Sequence, residues 1–290
     1  MKLQYWGTAA AEGIPGVFCG CAVCREAREK GGRYIRTRSQ VLLDDSLLVD
    51  FGADTYMHSL KYGFDMSRLE HVMITHVHSD HFYPREFLNR QVGYSHNMSS
   101  PVLTLHGSPD IEGHALGLWD ANGNGISGRK LLEGGRVVFD IMKPYESREV
   151  CGFKVTALPA SHGTENPYIY IFEKSGRAML LHNDCGYLKP EVLDWLGKSG
   201  IKFDLVSYEC TYATRDASEN GKYTEIGHLG LPNDIEERRR LKELGCYKDS
   251  TIDVITHFSH NTPTVGYGDM KEYAEKDGFI LAYDGMEIEF

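Results

Sequence analysis

Four side chains able to ligate a divalent metal fall within six residues of this chain: His76, His78, Asp80 and His81, in the run Thr75-His76-Val77-His78-Ser79-Asp80-His81. The run follows a short apolar stretch, His71–Ile74, that reads as a strand. In an extended chain residues two apart share a side, so His76 and His78 point the same way. Asp80 and His81 follow where the chain must turn ahead of Pro84, so all four converge on one point. Imidazole nitrogens suit zinc, iron or manganese, and the carboxylate adds hard-ligand character. The chemistry this pattern offers is that of a metal centre.

Three later residues have the same kind of address. His162 lies just beyond the apolar run Phe153–Leu158, Asp184 follows Met179-Leu180-Leu181-His182-Asn183, and His257 closes Ile252–Thr256. Each alone is an ordinary loop residue, but together with the first four they complete two metal sites. A second cluster, Cys19, Cys21 and Cys24, has zinc-ligand spacing but supplies only three ligands, whereas a closed structural zinc site takes four. His260, three residues after His257, is the candidate fourth. The cysteines total seven, an odd and clumped set that favours metal ligation over a disulfide framework.

The order His-x-His-x-Asp-His, then His, Asp and His, each after a strand, resembles the metallo-β-lactamase superfamily. Asp50, in Leu47-Leu48-Val49-Asp50-Phe51-Gly52, matches that superfamily's early Asp-x-Gly element. The resemblance spans about residues 3 to 285 and implies a four-layer αββα sandwich, with the site on one edge of two sheets. It implies that His76, His78 and His162 hold one metal, that Asp80, His81 and His257 hold a second, and that Asp184 bridges them. Asp50 would orient a ligand histidine. Two such ions, either zinc, manganese or iron, can share a hydroxide at neutral pH for attack on phosphorus. The Asp at the bridging position steers the reading from β-lactams toward phosphodiesters.

The Cys-x-Cys-x-x-Cys cluster after Gly7-Thr8, with the His257/His260 pair, resembles PhnP-type cyclic phosphodiesterases. That likeness implies one structural zinc that staples the loop of about residues 8–38 beside the catalytic edge. Glu209, at a strand end, with Thr211 and the later pair Gly227-His228, resembles the phosphodiesterase branch that includes tRNase Z. There His228 would protonate the leaving alkoxide and Glu209 would orient and charge its imidazole. Arg36, Arg38 and Lys222 are weaker candidates for a phosphate or sugar contact. His58, His71, His96, His106, His114 and His182 read as structural, and Glu236–Arg240 as an exposed helix face.

These residues need many short strands to carry them. The pattern predicts strands at residues 1–7, Gln40–Leu43 and Ser46–Asp50 (a hairpin across Asp44-Asp45), His71–Thr75, Val102–Leu105, Arg136–Ile141, Phe153–Leu158, Tyr168–Glu173, Ala178–His182, Phe203–Tyr208, Thr251–Thr256 and Phe279–Tyr283. Helices are predicted at Asp54–Leu60, from Lys189-Pro190 to about Gly200, from an Asn233 cap to Leu244, and at Asp269–Lys276. The class is α/β or α+β, with two packed sheets covered by helices. Asp120–Gly135, rich in Asn and Gly, reads as loop, and about 85–135 as a candidate insertion into a single domain of residues 1–290.

Composition bounds the function. With 31 Lys and Arg against 41 Asp and Glu, the net charge of −10 disfavours nucleic acid and anionic membrane as partners. No stretch approaches the roughly 20 apolar residues of a membrane span. The N-terminus lacks the apolar segment of a signal peptide, so a cytoplasmic location is expected. The leading expectation is therefore a dinuclear metal-dependent hydrolase of small phosphodiesters, cyclic ribose phosphates above all. A tRNase Z-like endonuclease and a PqqB-like protein of cofactor synthesis are the alternatives, and a homodimer is left open.

Overall fold

The structure is a computed structural model that describes residues 1–220, 227–261 and 265–290. One seven-stranded sheet contains β1 (Lys2–Gly7), β2 (Gln40–Leu43), β3 (Leu47–Val49), β4 (His71–Met73), β5 (Leu103–Gly107), β6 (Val137–Ile141) and β14 (Met286–Glu289), in the order β14-β1-β2-β3-β4-β5-β6. The other contains β7 (Ser147–Val150), β8 (Phe153–Pro159), β9 (Tyr168–Lys174), β10 (Arg177–His182), β11 (Phe203–Glu209), β12 (Tyr247–Thr256) and β13 (Ile280–Leu281), in the order β13-β12-β11-β10-β9-β8-β7. Each sheet is antiparallel at one end and parallel at the other: β3 to β6 run parallel in the first, β10 to β13 in the second.

Three apolar clusters account for four layers. Between the sheets lie Leu3, Val41 and Met73 from one and Tyr170, Met179 and Leu205 from the other. Outside the first sheet, α3 (Asp110–Ala121) and α4 (Gly125–Glu133) place Ile111, Ala115, Trp119 and Leu131 on Val72 and Leu105, and α2 (Thr55–Tyr62) lies in the same half of the chain. Outside the second sheet, α1 (Ala22–Lys30), α5 (Pro190–Ser199), α6 (Leu231–Glu243) and α7 (Tyr267–Lys276) cover Leu180, Val206 and Tyr208. Strand β10 buries Met179 and Leu181 inward and Leu180 outward, which is why its sequence is apolar without alternation. The result is the αββα sandwich expected from sequence. Among the described residues no helix is long and apolar enough to cross a membrane.

The hairpin across Asp44 and Asp45 is present, with φ of +46° and +52°, the left-handed pair a tight two-residue turn requires. Other expectations need correction. Asp120–Gly135 is not loop: α4 occupies Gly125–Glu133. Within 85–135, β5 sits between β4 and β6 and so is integral to the sheet. The stapled stretch 8–38 is not all loop, since α1 begins at Ala22. Helix α6 starts at Leu231 with Gly230 as its cap, and the Asn233 side chain instead accepts hydrogen bonds from Gly230 N (3.1 Å) and Ala217 N (2.9 Å). Strands β7 and β14, both at sheet edges, were not foreseen.

Two histidines outside the metal cluster tie stability to pH. His58 is buried on α2 with Nδ1 2.7 Å from Gln40 Oε1, and His182 is buried at the end of β10. Burial lowers each pKa to about 4, against about 6.5 in an unfolded chain. As pH falls below about 6.5 the unfolded state takes up these protons first, so stability is whole above that pH and is lost toward pH 4. Each site contributes up to about 3 kcal/mol by this route. Urea midpoints measured from pH 7 to 4.5 should fall steeply, and His58→Gln should flatten the slope; an identical slope would remove His58 from the account.

Candidate metal centre

All the candidate ligands lie beyond the C-terminal ends of strands. His76, His78, Asp80 and His81 follow β4, His162 follows β8, Asp184 follows β10 and His257 follows β12. The two sheets are tied at this edge, where Tyr170 Oη donates to the Ile74 carbonyl (2.7 Å) and Tyr168 N to the Thr75 carbonyl (2.8 Å).

Asp184 stands at the middle, with its two oxygens facing different histidine groups. Oδ2 is 3.7 Å from His76 Nε2 and 3.6 Å from His162 Nε2, while His78 Nδ1 is 3.0 Å from each of those nitrogens. Oδ1 is 2.8 Å from His257 Nε2 and 3.3 Å from His81 Nε2, and Asp80 Oδ2 is 3.2 Å from His81 Nε2. A tetrahedral ion with legs of about 2.1 Å separates its donors by about 3.4 Å, and these spacings bracket that value. Buried His81 Nε2, His257 Nε2 and Asp184 Oδ1 converge yet make no hydrogen bond to one another or elsewhere. Buried donor atoms turned on one another without hydrogen bonds fit a pair of cations better than a hydrogen-bond network.

Four of the five candidate ligand rings are aimed by their other nitrogen. His81 Nδ1 is 2.7 Å from Asp50 Oδ2, His76 Nδ1 3.0 Å from Thr75 Oγ1, His257 Nδ1 2.8 Å from Thr211 Oγ1, and His162 Nδ1 3.3 Å from the Gly227 carbonyl. Asp50 also accepts from Thr75 N (2.9 Å), Thr75 Oγ1 (2.9 Å) and Asn183 Nδ2 (3.2 Å). Such partners would fix which nitrogen faces a bound metal and would strengthen it as a ligand. Thr75 and Asn183 had no sequence signal of their own, whereas Thr211 belongs to the motifs that resemble tRNase Z. Asp50 and His257 have φ of +67° and +62°, a left-handed geometry costing a non-glycine residue about 1–3 kcal/mol, which turns each side chain off its strand into the cluster. Gly52 is needed for a simpler reason: a Cβ there would lie 2.0 Å from the Asp80 carbonyl oxygen.

The electrostatics agree. Burial disfavours a charged His81 imidazole, yet Asp184, Asp80 and Asp50 around it hold its pKa well above the ordinary histidine value. Burial and the neighbouring imidazoles, His81 first, push His76 well below it. Burial would raise Asp80, but His81 brings it down to about 2. Three carboxylates focused on one buried point make a potential that cations satisfy.

Beside the cluster, His228 Nδ1 lies 3.3 Å from Glu209 Oε2. Glu209 is fully buried, accepts from Thr211 N (3.1 Å) and from the Leu229 amide, and sits at the end of β11. The His228 ring stacks on His257 at 5.6 Å and meets His162 at 4.9 Å. Burial lowers its pKa, but Glu209 more than reverses this and raises it to about 9. Arg36 and Arg38 are engaged elsewhere: buried Arg36 donates to Thr8 Oγ1 and the Ala282 carbonyl (2.8 Å each), and Arg38 pairs with Asp54 at 2.8 Å. Lys222 lies outside the described residues.

The thiolate cluster assembles as well. Cys19, Cys21, Cys24 and His260 bring their donor atoms within 4.8 Å of one another. His260 Nδ1 is 3.5 Å from Cys19 Sγ and 3.9 Å from Cys21 Sγ, near the edge of about 3.5 Å that a tetrahedral zinc site would have. Gly16 N and Cys24 N donate to the sulfurs of Cys24 and Cys21 (3.3 and 3.5 Å), and Cys21 also caps α1. Phe258, between His257 and His260, is strapped to the N-terminal loop by its amide to the Thr8 carbonyl and by Ala10 N to its own carbonyl, 3.0 Å each. Cys24→Ser should therefore lose one ion per chain and lower the thermal midpoint by on the order of 5 °C. Metal analysis of the purified variant decides it, and an unchanged ion count would dismiss the cluster as a site.

Two facing sheets flanked by helices, with this ordered set of histidines and aspartates on one edge, define the metallo-β-lactamase fold. Residues 46–245 match the sequence profile described as the beta-lactamase superfamily domain, and the chain belongs to that family. It is 30% identical over 139 residues to a ribonuclease Z of Bradyrhizobium diazoefficiens, an alignment covering 47% of this chain and 42% of that protein, so the chain spans less than half the length of that curated relative. Among solved structures, Zn(2+)-bound PqqB from Methylobacterium extorquens superposes with a TM-score of 0.73 at 18% identity, covering 100% of both chains. A diphosphatase from the PhnP family gives 0.72 at 19% identity, covering 100% of this chain and 96% of that one. The short form of human tRNase Z gives 0.62 at 19%, covering 100% and 99%. At such identities these likenesses concern the fold.

Proposed function

We propose that this protein is a dinuclear metal-dependent hydrolase of small phosphodiesters, acting in the cytoplasm, with cyclic ribose phosphates as the preferred class. The observation that carries the reading is Asp184, whose two oxygens each face a separate histidine group while His228 stands beside both. His76, His78, His162 and Asp184 would hold one ion, and Asp80, His81, His257 and Asp184 the other. When bound, such a pair supplies a hydroxide nucleophile at neutral pH and neutralises charge on the phosphoryl oxygens.

The chain's own residues supply the rest. With Nδ1 turned to Glu209, His228 has Nε2 left to give its proton to the departing alkoxide. Buried Glu209 keeps that imidazole charged and upright, and Thr211 ties Glu209 to His257, so the proton donor and a metal ligand share one support. Asp50 keeps His81 in the tautomer that presents Nε2.

The ribonuclease Z identity supports a second reading, processing of transfer RNA 3′ ends, and the net charge of −10 weighs against it. A PqqB-like role in cofactor synthesis has the likeness of fold behind it. Metal analysis followed by a substrate panel separates the three: 2′,3′-cyclic nucleotides, ribose 1,2-cyclic phosphate, an aryl diester, a precursor tRNA and a β-lactam. About three ions per chain and fastest turnover of a cyclic phosphate are expected. Preferential cleavage of the precursor tRNA would install the second reading, and a single ion without turnover the third.

A further inference from the structure

A cavity of about 460 Å³ lies between α2 and the 3₁₀ helix Pro84–Arg90 with the loop after it, and none of the seven candidate metal ligands lines it. Its floor is buried Phe51, Leu69 and Phe87, with the Phe51 and Phe87 rings 4.7 Å apart. Tyr56 and Tyr94 line it too, are 68% and 69% exposed, and so form its mouth. The volume is that of a small-molecule site, about 300–1,000 Å³, and an aromatic lining is usual in such sites. Phe51 follows Asp50 and donates its amide to the His81 carbonyl (2.7 Å), so the cavity backs onto the ligand loop.

One lining residue carries a charge that nothing balances. Arg90 is only 8% exposed, yet its Nε donates to the Arg136 carbonyl (3.3 Å) and its Nη2 to the Ser100 carbonyl (2.7 Å), both neutral acceptors. Arg136 returns a bond from Nη1 to the Arg90 carbonyl (2.8 Å), which sets a second guanidinium beside the first. Burial and Arg136 both push the Arg90 pKa down, and no carboxylate pushes it back. Among the described residues neither arginine is in an ion pair, in a chain whose net charge is −10. Glu86, the acidic residue on the lining, accepts from Asn89 Nδ2 instead (2.9 Å). A buried cation without a counterion is costly, and the planar fork of a guanidinium matches a carboxylate or a phosphate.

We propose that this cavity binds an organic anion, with a flat apolar body among the aromatic side chains and a carboxylate or phosphate on Arg90. The site is separate from the metal centre and does not depend on the hydrolase reading.

The test is calorimetric titration of the metal-loaded protein at pH 7 with 2-naphthoate, 2-naphthyl phosphate and neutral 2-naphthol. At least one of the anions should bind, one per chain and about tenfold or more tighter than naphthol, the worth of one hydrogen bond to a charged group. The tighter of the two names the headgroup the site takes, and either order upholds the proposal. Arg90→Gln should abolish the preference for anions and leave naphthol binding as it was. Tyr94→Ala, at the exposed mouth where the fold is not at stake, should weaken all three, and it carries the test should Arg90→Gln fail to fold. Anions bound no tighter than naphthol overturn the proposal, as do affinities indifferent to Tyr94→Ala. Binding that is lost in Asp184→Ala but kept in Tyr94→Ala also overturns it, because the probe then sits at the metal centre.

Discussion

Asp184→Ala should strip the protein of both catalytic ions and lower turnover of any diester by a thousandfold or more, while leaving the thiolate site loaded. The expectation follows from position. On the proposed reading each neighbouring histidine would serve one ion, but Asp184 has Oδ2 toward His76 and His162 and Oδ1 toward His81 and His257. Removing it deletes a ligand from each set and also the negative charge nearest the centre of the cluster. Burial raises its carboxyl pKa, but His257 and His81 more than offset that and hold it well below the ordinary range. A cation pair contributes several kcal/mol of transition-state stabilisation, and about 1.4 kcal/mol corresponds to a tenfold rate. Asp184→Asn is the sharper variant, keeping the shape and one acceptor while losing the charge. Metal analysis should find about one ion per chain in the alanine protein. Full metal content with lost turnover would make Asp184 a catalytic rather than a bridging group, and full turnover would end the dinuclear account.

The candidate ligands were legible in the sequence as a cluster because each has a local signature, a residue type able to bind metal placed just after an apolar run. Strand ends are where backbone pairing stops and side chains are released into loops, so the position itself carries information. What holds those ligands was less legible, since it depends on contacts between distant segments. Thr211 is 46 residues from the ring it aims and Asn183 133 from the carboxylate it supports, and neither residue type is unusual where it stands. The pairing of His71 with His106 at 3.0 Å, and of His106 with Asp140 at 2.8 Å, is likewise hidden until β4, β5 and β6 lie side by side.

The misread helix α4 shows the same limit from the other side. The glycines and asparagines of this stretch read as loop, since glycine's conformational freedom disfavours a helix. Gly128 is instead required by packing, since a Cβ would lie 2.2 Å from the Trp119 ring of α3. Helix α6 misled differently: Asn233 does satisfy backbone donors ahead of the helix, but from inside its first turn, so a capping signal was present and its register was not.

His228→Ala should separate proton donation from metal binding, and its size should depend on the leaving group. Glu209, Thr211 and the ligand rings remain in place in this variant, and His228 is not among the residues of the two central ligand sets. The ion count should stay at the native value. Loss of a positioned general acid costs about 10²–10⁴-fold when the departing oxygen is a poor leaving group, as a ribose alkoxide is. A p-nitrophenolate departs without a proton, so an aryl diester should lose far less than a cyclic nucleotide. Glu209→Gln should follow the same pattern at smaller size, because the imidazole keeps its place through Thr211 but loses the carboxylate that holds its charge. Rate constants for both diesters in the three proteins, beside metal contents, decide the matter. Equal losses on both substrates would move His228 from the leaving group to the phosphoryl oxygens, and a drop in metal content would make it a third ligand beside His257 and Glu209, whose donor atoms the structure also brings together.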